Sequence, residues 1–252
     1  MSKENSLERQ IDTVARWLIE SEHVVAFTGA GISTDSGIPD FRGPDGVWTR
    51  RDAGLPAPRW RVSPDQVGPN ESHEALVELQ RLNKLRFLIT QNTDNLHRQS
   101  GIHPELLAEL HGNGQLMRCL GCDRLHTKQE VGWDAARWGT GYRTQNPVVG
   151  QPGCPDCGGR LISSVVNFGD PLPEKELMLA AEHARRCDLM LVLGSSLVVN
   201  PAASLVGLAL RNGARAILIN RGETPYDEAV SLLVRAGIGE VIPAAVASSL
   251  RW

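Results

Sequence analysis

Four of the five cysteines form two Cys-x2-Cys pairs, and their spacing is that of a metal site. The pairs are Cys119 with Cys122 and Cys154 with Cys157, separated by residues 123–153. Four thiolates suit a tetrahedral structural Zn²⁺ site, in which no ligand position is left for water. Two redox-active dithiols are the alternative, although a redox Cys-x2-Cys motif usually occurs singly. His126 could replace one thiolate, but four cysteines make that unnecessary, so we interpret it as a packing or surface residue.

Residues 28–48 combine a glycine turn with a polar loop, which suits the binding of a dinucleotide. Gly29 and Gly31 follow a short apolar run, where a strand would turn into a helix. Glycines there let the backbone approach a pyrophosphate, and N–H groups at the helix start attract its charge. Thr34 stands where the usual dinucleotide fingerprint has its third glycine. Ordinary turn formation is the alternative interpretation of the glycines taken alone.

His111 is the candidate for proton transfer, because imidazole exchanges a proton near neutral pH. Gly112 opens space around the ring, and the pair lies between the nucleotide-binding segments and the first cysteine pair. Substrate clefts often form at such junctions. A lone histidine is more often structural, and His97 is the nearest rival for the catalytic role.

Strands and helices that must position these residues alternate along the chain. Unbroken apolar runs predict strands at 23–27, 85–90, 165–170, 189–193, 216–219 and 240–242. Capping and apolar spacing predict helices from Ser6, over 71–82, 104–111, 173–186, 201–213 and 224–237, and at the C-terminal end. Residues 49–69 are rich in proline and are expected to be irregular, and residues 127–152 are expected to bulge from the cysteine unit. This alternation predicts a parallel sheet with helices on both faces.

Four of the predicted strands are followed by Gly, Ser, Asn or Asp, at 29–31, 91–94, 194–196 and 220–222. In parallel sheets, ligands bind beyond the carboxyl ends of the strands. Any one of these segments could be a simple turn. Together they predict one dinucleotide crevice.

The composition is that of an ordinary globular protein, with 41% apolar and 22% charged residues. A net charge of −3 gives no indication of nucleic-acid binding. No apolar run is long enough to cross a bilayer, and residues 1–6 lack the apolar core of a signal peptide. We therefore expect a cytoplasmic protein that binds no membrane. We also expect a monomer.

Six motifs in order resemble those of the sirtuins, which are NAD-dependent protein-lysine deacylases. The motifs are Gly29-Ala30-Gly31-Ile32-Ser33 with the loop 36–43, Gln91-Asn92-x-Asp94, His111-Gly112, the two cysteine pairs, Val165-Val166-x-Phe168-Gly169, and Gly194-Ser195-Ser196-Leu197. Residues 43–49 and 107–113 resemble the branch that includes nuclear chromatin deacylases. The resemblance implies an α/β fold, with a Rossmann-like parallel sheet, helices on both faces and a small inserted zinc-binding domain. We expect the NAD-binding domain at 1–48, 71–117 and 162–252, the zinc module at 118–161, and a loop-rich cofactor-binding segment at 49–70.

The resemblance also implies the site residues, with NAD as co-substrate and one structural Zn²⁺ per chain. The implied catalytic residues are His111, Asn92 and Asp94. The implied NAD-binding residues are Gly29, Ala30, Gly31, Ser33, Thr34, Ile38, Asp40, Phe41, Arg42, Trp48, Gln91, Asn92, Asp94, His111, Gly194, Ser195, Ser196, Asn220, Arg221, Gly222 and Ile238. An acyl-lysine peptide is expected to add as a strand along Val166, Asn167, Phe168, Gly169, Val198 and Val199.

The implied reaction transfers the acyl group of a modified lysine to ADP-ribose, with release of nicotinamide. His111 would take a proton from a ribose hydroxyl. Departures from the family pattern such as Thr93 and Asp170 lie beside the acyl channel and leave the preferred acyl chain open. The Tyr-x-x-Arg pair of succinyl- or malonyl-selective members is absent after Trp48, so we expect neutral acyl groups.

Three other functions are considered beside deacylation. A mono-ADP-ribosyltransferase would use the same NAD cleavage with another nucleophile. A dehydrogenase should show the G-x-G-x-x-G fingerprint and an acidic residue after the second strand, where this chain has Gln91-Asn92. A zinc-and-nucleotide binding module without catalysis would tolerate the loss of His111.

Overall fold

The computed structural model of the protein describes the backbone of residues 3–250 and their side chains from residue 6 onward. The chain divides into two compact units, which are described one at a time. The first comprises Met1–Thr90, Leu96–Ala108 and Met178–Trp252, and the second comprises Gln91–Asn95 and Glu109–Leu177. The predicted zinc module 118–161 lies inside the second unit, and its assignment as a separate domain stays a prediction. No helix of the described part of the chain has the length and apolar character needed to cross a membrane.

The described residues form eight α-helices and nine strands. The helices are α1 (Lys3–Glu20), α2 (Val47–Asp52), α3 (Glu71–Arg81), α4 (Leu96–Ser100), α5 (Ala135–Trp138), α6 (Glu174–Arg186), α7 (Ser204–Arg211) and α8 (Ile238–Ser249). The strands are β1 (Val24–Thr28), β2 (Leu85–Thr90), β3 (Leu107–Glu109), β4 (Leu116–Cys119), β5 (Leu125–Thr127), β6 (Leu161–Ser163), β7 (Leu189–Leu193), β8 (Arg215–Ile219) and β9 (Leu232–Val234). Short 3₁₀ helices lie at Ala30–Ser36, Pro64–Gln66 and Pro104–Leu106.

The six-stranded sheet of the first unit has the order β3-β2-β1-β7-β8-β9. The pairs β2–β1, β1–β7, β7–β8 and β8–β9 are parallel. In β1, Thr28 is opposite Thr90 on one side and opposite Leu193 on the other. Leu193 is in turn opposite Ile219. Four strands therefore end at the same edge of the sheet, as the parallel arrangement predicts.

Both faces of the central strands are buried. Alternate residues such as Ala26 and Leu191 belong to one core cluster with residues of α1, α3 and α8. The residues between them, such as Phe27 and Val192, are also fully buried. Because side chains alternate between the two faces of a sheet, the second face is covered as well. Helix α7, which lies between β7 and β8 in the sequence, contacts both of these strands. The predicted parallel sheet with helices is confirmed.

The second unit contains a three-stranded antiparallel sheet of order β5-β4-β6. Its core includes Met117, Cys119, Trp133 and Trp138. The two tryptophan rings lie 5.8 Å apart, and the Trp133 indole N–H donates to the Gly139 carbonyl at 3.1 Å. The expectation that all of 127–152 bulges outward is therefore wrong for this part, because two large aromatic side chains bury their surface on the cysteine unit.

Two predicted helices are wrong, because edge strands take their place. Residues 104–111 contain a 3₁₀ turn and then β3, and residues 224–237 contain turns and then β9. Leu218 and Leu233 are opposite one another in the β8–β9 pair. The proline and threonine signals at the starts of these segments are equally typical of turns. Pairing with the sheet, which is a non-local interaction, decides the outcome.

Two predicted strands are also wrong. Residues 240–242 lie in α8, where the Glu240 carboxylate accepts the Gly237 N–H at 3.0 Å and stabilises the helix start. Residues 165–170 are irregular, because the pairing of β6 with β4 ends at Ser163. The Asp170 N–H donates to the Asn167 carbonyl at 3.0 Å, so this segment closes as a turn.

The helices α2, α4 and α5 and the strands β4, β5 and β6 were not predicted. The other differences concern the ends of elements. α1 begins at Lys3, so Ser6 lies inside the helix instead of capping it. β1 begins one residue later than predicted, and α7 begins at Ser204, three residues after Pro201. Residues 49–69 were predicted to be irregular, but the first four of them belong to α2.

Candidate active site

Two glycine turns of the first unit pack backbone to backbone at the sheet edge. The N–H of Gly29 donates to the Leu193 carbonyl at 3.0 Å, and the N–H of Gly31 donates to the Gly194 carbonyl at 2.9 Å. A Cβ added to Gly31 would lie 2.6 Å from the Gly194 Cα, and Gly194 has a φ of +65°. These glycines are required for the close approach of two turns, and their N–H groups are used inside the protein instead of being left for an anion. The contact brings together the predicted residues Gly29, Ala30, Gly31, Gly194, Ser195 and Ser196.

Hydroxyl groups stabilise the same turns. Thr34 Oγ1 donates to the Gly31 carbonyl at 2.9 Å. Ser195 Oγ accepts the Leu197 N–H at 3.2 Å, and Ser33 is buried. The Thr34 side chain therefore stabilises the first turn, whereas the glycine of the usual fingerprint has no side chain that could do so.

The loop after the first turn is organised by Asp40. Its carboxylate accepts the Gly43 N–H at 2.9 Å, and its carbonyl accepts the Val47 N–H at 2.8 Å. The loop closes over an aromatic group in which the Phe41 and Trp48 rings lie 4.8 Å apart. The predicted NAD-binding residues Phe41, Arg42 and Trp48 are thus in contact, with the Arg42 guanidinium 4.6 Å from the Trp48 ring centre. Ile38, just before this loop, is half-buried.

The predicted residues after β8 form a tight turn. Asn220 Nδ2 donates to the Gly222 carbonyl at 2.8 Å. Arg221 lies 3.5 Å from the Glu240 carboxylate at the start of α8. Ile238 is the first residue of that helix, and its side chain is buried in the core. Any ligand contact made by Ile238 would therefore have to come from its backbone.

His111 lies in the second unit, and its ring is oriented by one hydrogen bond. Nδ1 is 3.0 Å from the Gln91 carbonyl oxygen. Because a carbonyl only accepts, Nδ1 carries the proton and Nε2 of the neutral ring is the acceptor. Burial lowers the pKa of His111, and the Gln91 carbonyl opposes this in part. The ring is therefore a neutral base at physiological pH.

The segment 91–95 brings the other predicted catalytic residues to the same unit. Asn92 is buried and Asp94 is half-buried. The Gly114 N–H donates to the Thr93 carbonyl at 2.8 Å, which ties this segment to the turn that follows His111. Unit two thus carries His111, Gln91, Asn92 and Asp94 on two connected turns.

The predicted peptide-binding residues differ in exposure. Phe168 is 81% exposed, Gly169 has a φ of +93°, and the Val166 N–H donates to the His111 carbonyl at 2.9 Å. Asn167 belongs to the turn closed by Asp170. In the first unit, Val198 is 46% exposed and Val199 is half-buried, in the stretch between β7 and α7.

The four paired cysteines form one cluster, with all Sγ atoms within 4.8 Å of one another. The Cys119–Cys157 and Cys122–Cys154 Sγ distances are 3.5 and 3.7 Å. A tetrahedron with Zn–S bonds of about 2.3 Å has S···S edges of about 3.8 Å. All four thiols are free. The donor set therefore fits the predicted structural Zn²⁺, and four thiolates leave that ion no open position for chemistry.

His126 contacts the cysteine cluster from outside. Its Nε2 is 3.4 Å from Cys154 Sγ and 3.2 Å from Asp156 Oδ2. A histidine N–H that reaches a thiolate ligand offsets part of the negative charge of a four-thiolate site. The interpretation of His126 as a packing or surface residue is thus incomplete.

Replacing His126 with alanine is expected to speed zinc release by about 10-fold or more, because outer partners of metal ligands change affinity by roughly 10–100-fold. The measurement is the rate of zinc transfer to a chromogenic chelator. His103→Ala, an exposed histidine of the first unit, is the control. Equal release rates for His126→Ala and the unaltered protein would contradict this role.

Three residues around His111 were not predicted as functional: Glu109, Asn113 and Ser164. Each is buried. The only signal in the sequence is a polar residue directly after His111-Gly112, which by itself is typical of many turns.

Comparison with known proteins supports one family. A family model described as the Sir2 family matches residues 29–59 and 57–201. The chain is 36% identical over 254 residues to NAD-dependent protein deacetylase 1 of Bradyrhizobium diazoefficiens, covering 94% of this chain and 96% of that protein. It is 39% identical over 236 residues to NAD-dependent protein deacetylase SRT1 of Oryza sativa subsp. indica, covering 94% of this chain. The chain spans about half the length of that plant relative, 47%.

Solved structures give the same result for the fold. A Sir2 complex with a p53 peptide and NAD+ superimposes with a TM-score of 0.73 at 32% sequence identity. The match covers 96% of this chain and 99% of that one.

Proposed function

Because the chain belongs to the Sir2 family, we propose that it is an NAD-dependent protein-lysine deacylase. The acyl oxygen of the modified lysine displaces nicotinamide from the ribose carbon of NAD, the acyl group then passes to a ribose hydroxyl, and one water is consumed as free lysine leaves. The bacterial relative, matched over 96% of its length, is named a deacetylase. The family resemblance in the motifs and the similarity over most of the chain support the same activity.

The single observation that carries this proposal is the state of His111. Its Nδ1–H is held by the Gln91 carbonyl, and burial keeps the ring neutral, so Nε2 is available as a base. A base near neutral pH is what removal of a proton from a ribose hydroxyl requires. The freed oxygen then attacks the acyl group.

Within the first unit, NAD binding is assigned to the two glycine turns and to the loop of Asp40. NAD supplies the ADP-ribose acceptor and the nicotinamide leaving group. The Gly31 and Gly194 turns offer a backbone surface without side chains, and the loop of Asp40 presents Phe41 and Arg42. Asn92 and Asp94 are proposed to hydrogen-bond the nicotinamide carboxamide, whose burial without partners would be costly.

The extended peptide that carries the modified lysine pairs through its backbone with Val166–Gly169 of the second unit, and Val198 and Val199 are the peptide-binding residues proposed for the first unit. The exposure of Phe168 and Val198 leaves apolar surface for this peptide. Backbone pairing reads few side chains, so target selectivity is loose. The acyl groups accepted are neutral.

The Zn²⁺ has a structural role, and the protein acts as a monomer in the cytoplasm, where free thiols such as those of the cysteine cluster are kept reduced. ADP-ribosyl transfer to protein is not favoured, because the relatives are named deacetylases and deacylases.

The test is a product balance with the purified protein, NAD+ and an acetyl-lysine peptide. We expect equal amounts of nicotinamide, deacetylated peptide and acetyl-ADP-ribose. Radiolabel from the adenosine part of NAD that stays on protein would instead identify an ADP-ribosyltransferase. NAD that stays intact in the presence of a panel of acyl-peptides would refute the proposal.

A further inference from the structure

We propose that Asn113, whose backbone is hydrogen-bonded to Ser164, is a positioning residue for His111 and for the segment 91–95. The expected effect on kcat rests on the proposed function. The expected effect on the tautomer of His111 does not depend on it. The three segments that Asn113 connects are 91–95, 109–114 and 163–166, all within the second unit.

The side chain of Asn113 is fully buried and uses both ends of its amide. Nδ2 donates to Glu109 Oε1 at 2.6 Å and to Asn95 Oδ1 at 2.8 Å. Oδ1 accepts the Gln115 N–H at 2.8 Å. Asn113 therefore joins the residues before and after His111 to the end of segment 91–95, and its bond to Glu109 is fully buried.

The backbone of Asn113 is held by Ser164 in both directions. The Asn113 N–H donates to Ser164 Oγ at 3.0 Å, and the Ser164 hydroxyl donates to the Asn113 carbonyl at 2.8 Å. The two segments approach so closely at this point that a Cβ on Gly112, whose φ is +76°, would lie 1.9 Å from the Ser164 carbonyl oxygen. A hydroxyl can donate and accept at once, whereas a carboxylate or a methyl group in its place could not do both.

These contacts determine where the His111 ring lies. Segment 91–95 begins with Gln91, whose carbonyl accepts from His111 Nδ1, and it ends with Asn95, which accepts from Asn113. The bond from Gly114 to the Thr93 carbonyl holds its middle. Without the Asn113 amide, the buried Glu109 carboxylate and the half-buried Asn95 side chain each lose a donor, and the segment can relax toward other partners. The Gln91 carbonyl then no longer imposes a single tautomer on His111.

The predicted kinetic result is a loss in kcat with little change in KM. A shift of a catalytic group by about 1 Å can lower the rate about 100-fold. We expect Asn113→Ala to lower kcat for an acetyl-lysine peptide by about 10–100-fold, with KM for NAD and peptide within about 2-fold. Ser164→Ala is expected to have a smaller effect in the same direction, and Ser164→Thr, which keeps the hydroxyl, is expected to restore most of the activity.

The decisive readout is ¹⁵N NMR of the His111 ring, which separates protonation at Nδ1 from protonation at Nε2. The unaltered protein is expected to show the Nδ1–H form, and Asn113→Ala and Ser164→Ala are expected to show a mixture. Ser21→Ala removes a buried hydroxyl from the first unit and is the control, expected to match the unaltered protein in both readouts.

An unchanged tautomer in both Asn113→Ala and Ser164→Ala, with kcat within 2-fold, would overturn the inference. If Asn113→Ala does not fold, the outcome for Ser164→Ala against Ser21→Ala decides it. The NMR result stands even for a protein without deacylase activity, so failure of the proposed function and failure of this inference are distinguishable.

Discussion

Replacing His111 with alanine is expected to lower kcat for peptide deacetylation by about 10²–10⁴-fold, the usual contribution of a positioned general base. The reason is the loss of Nε2, the acceptor left when Nδ1 donates to the Gln91 carbonyl. NAD binding, measured by calorimetry, should change little, because the variant keeps the turns of Gly31 and Gly194. The measurement is initial-rate release of nicotinamide and acetyl-ADP-ribose.

The same residue predicts a pH dependence. Burial lowers the pKa of His111 below the usual histidine value of about 6.5. A base must be deprotonated to act, so kcat/KM should stay high as the pH falls to about 6.5 and decrease only below it. His103→Ala, which alters an exposed histidine, should leave the rate and its pH profile unchanged. Full activity of His111→Ala would rule out this residue as the base.

Replacing Cys119 with alanine is expected to abolish the fold of the second unit. Structural Zn²⁺ contributes about 10–16 kcal/mol of binding free energy in zinc-finger peptides, comparable to the 5–15 kcal/mol total stability of an ordinary domain. Cys119 is also buried in the core with Met117 and Trp133, so its loss removes both a ligand and a packing contact. The measurements are zinc content per chain and thermal unfolding followed by tryptophan fluorescence, since Trp133 and Trp138 lie in this core.

The matched control is Cys187→Ala. Cys187 is a buried thiol of the first unit, outside the cysteine cluster, and burial raises its pKa to about 12. This variant should keep one zinc per chain and the same activity. A Cys119→Ala protein with full zinc content and an unchanged melting temperature would contradict the assignment of the four thiolates.

Elements with strong local signals were predicted well from the sequence. β2 and β7 have the predicted bounds, because β7 is a continuous buried apolar run and β2 is buried at every position except Arg86. α3 begins as predicted at Glu71, since Asn70 caps it by accepting the Ser72 N–H at 3.0 Å. The cysteine cluster was predicted from spacing, because two Cys-x2-Cys turns can place thiolates only a few ångströms apart.

Elements without such signals depended on the tertiary structure. β3 and β9 each have three residues and lie at the sheet edges, where pairing with a neighbouring strand outweighs the helix signals of the preceding prolines. Residues 240–242 became helical because Glu240 could cap α8, an interaction that depends on the turn at Gly237. The sequence explained Gly29 and Gly31 only by the approach of a pyrophosphate. In the structure these glycines also pack against the backbone of Gly194, which is distant in the sequence.

By itself, the sequence determined the chemistry of this protein: the thiolates of its metal site, a histidine that can serve as a base, and the order of motifs that identifies the Sir2 family. The tertiary structure alone decided which nitrogen of His111 is left to accept a proton, because that depends on the Gln91 carbonyl, 20 residues away. It also decided the hydrogen bonds of Asn113, whose partner Ser164 is 51 residues distant. Residue type and short spacing are encoded locally, whereas the orientation of a buried polar group is settled by partners that meet it only once the chain has folded.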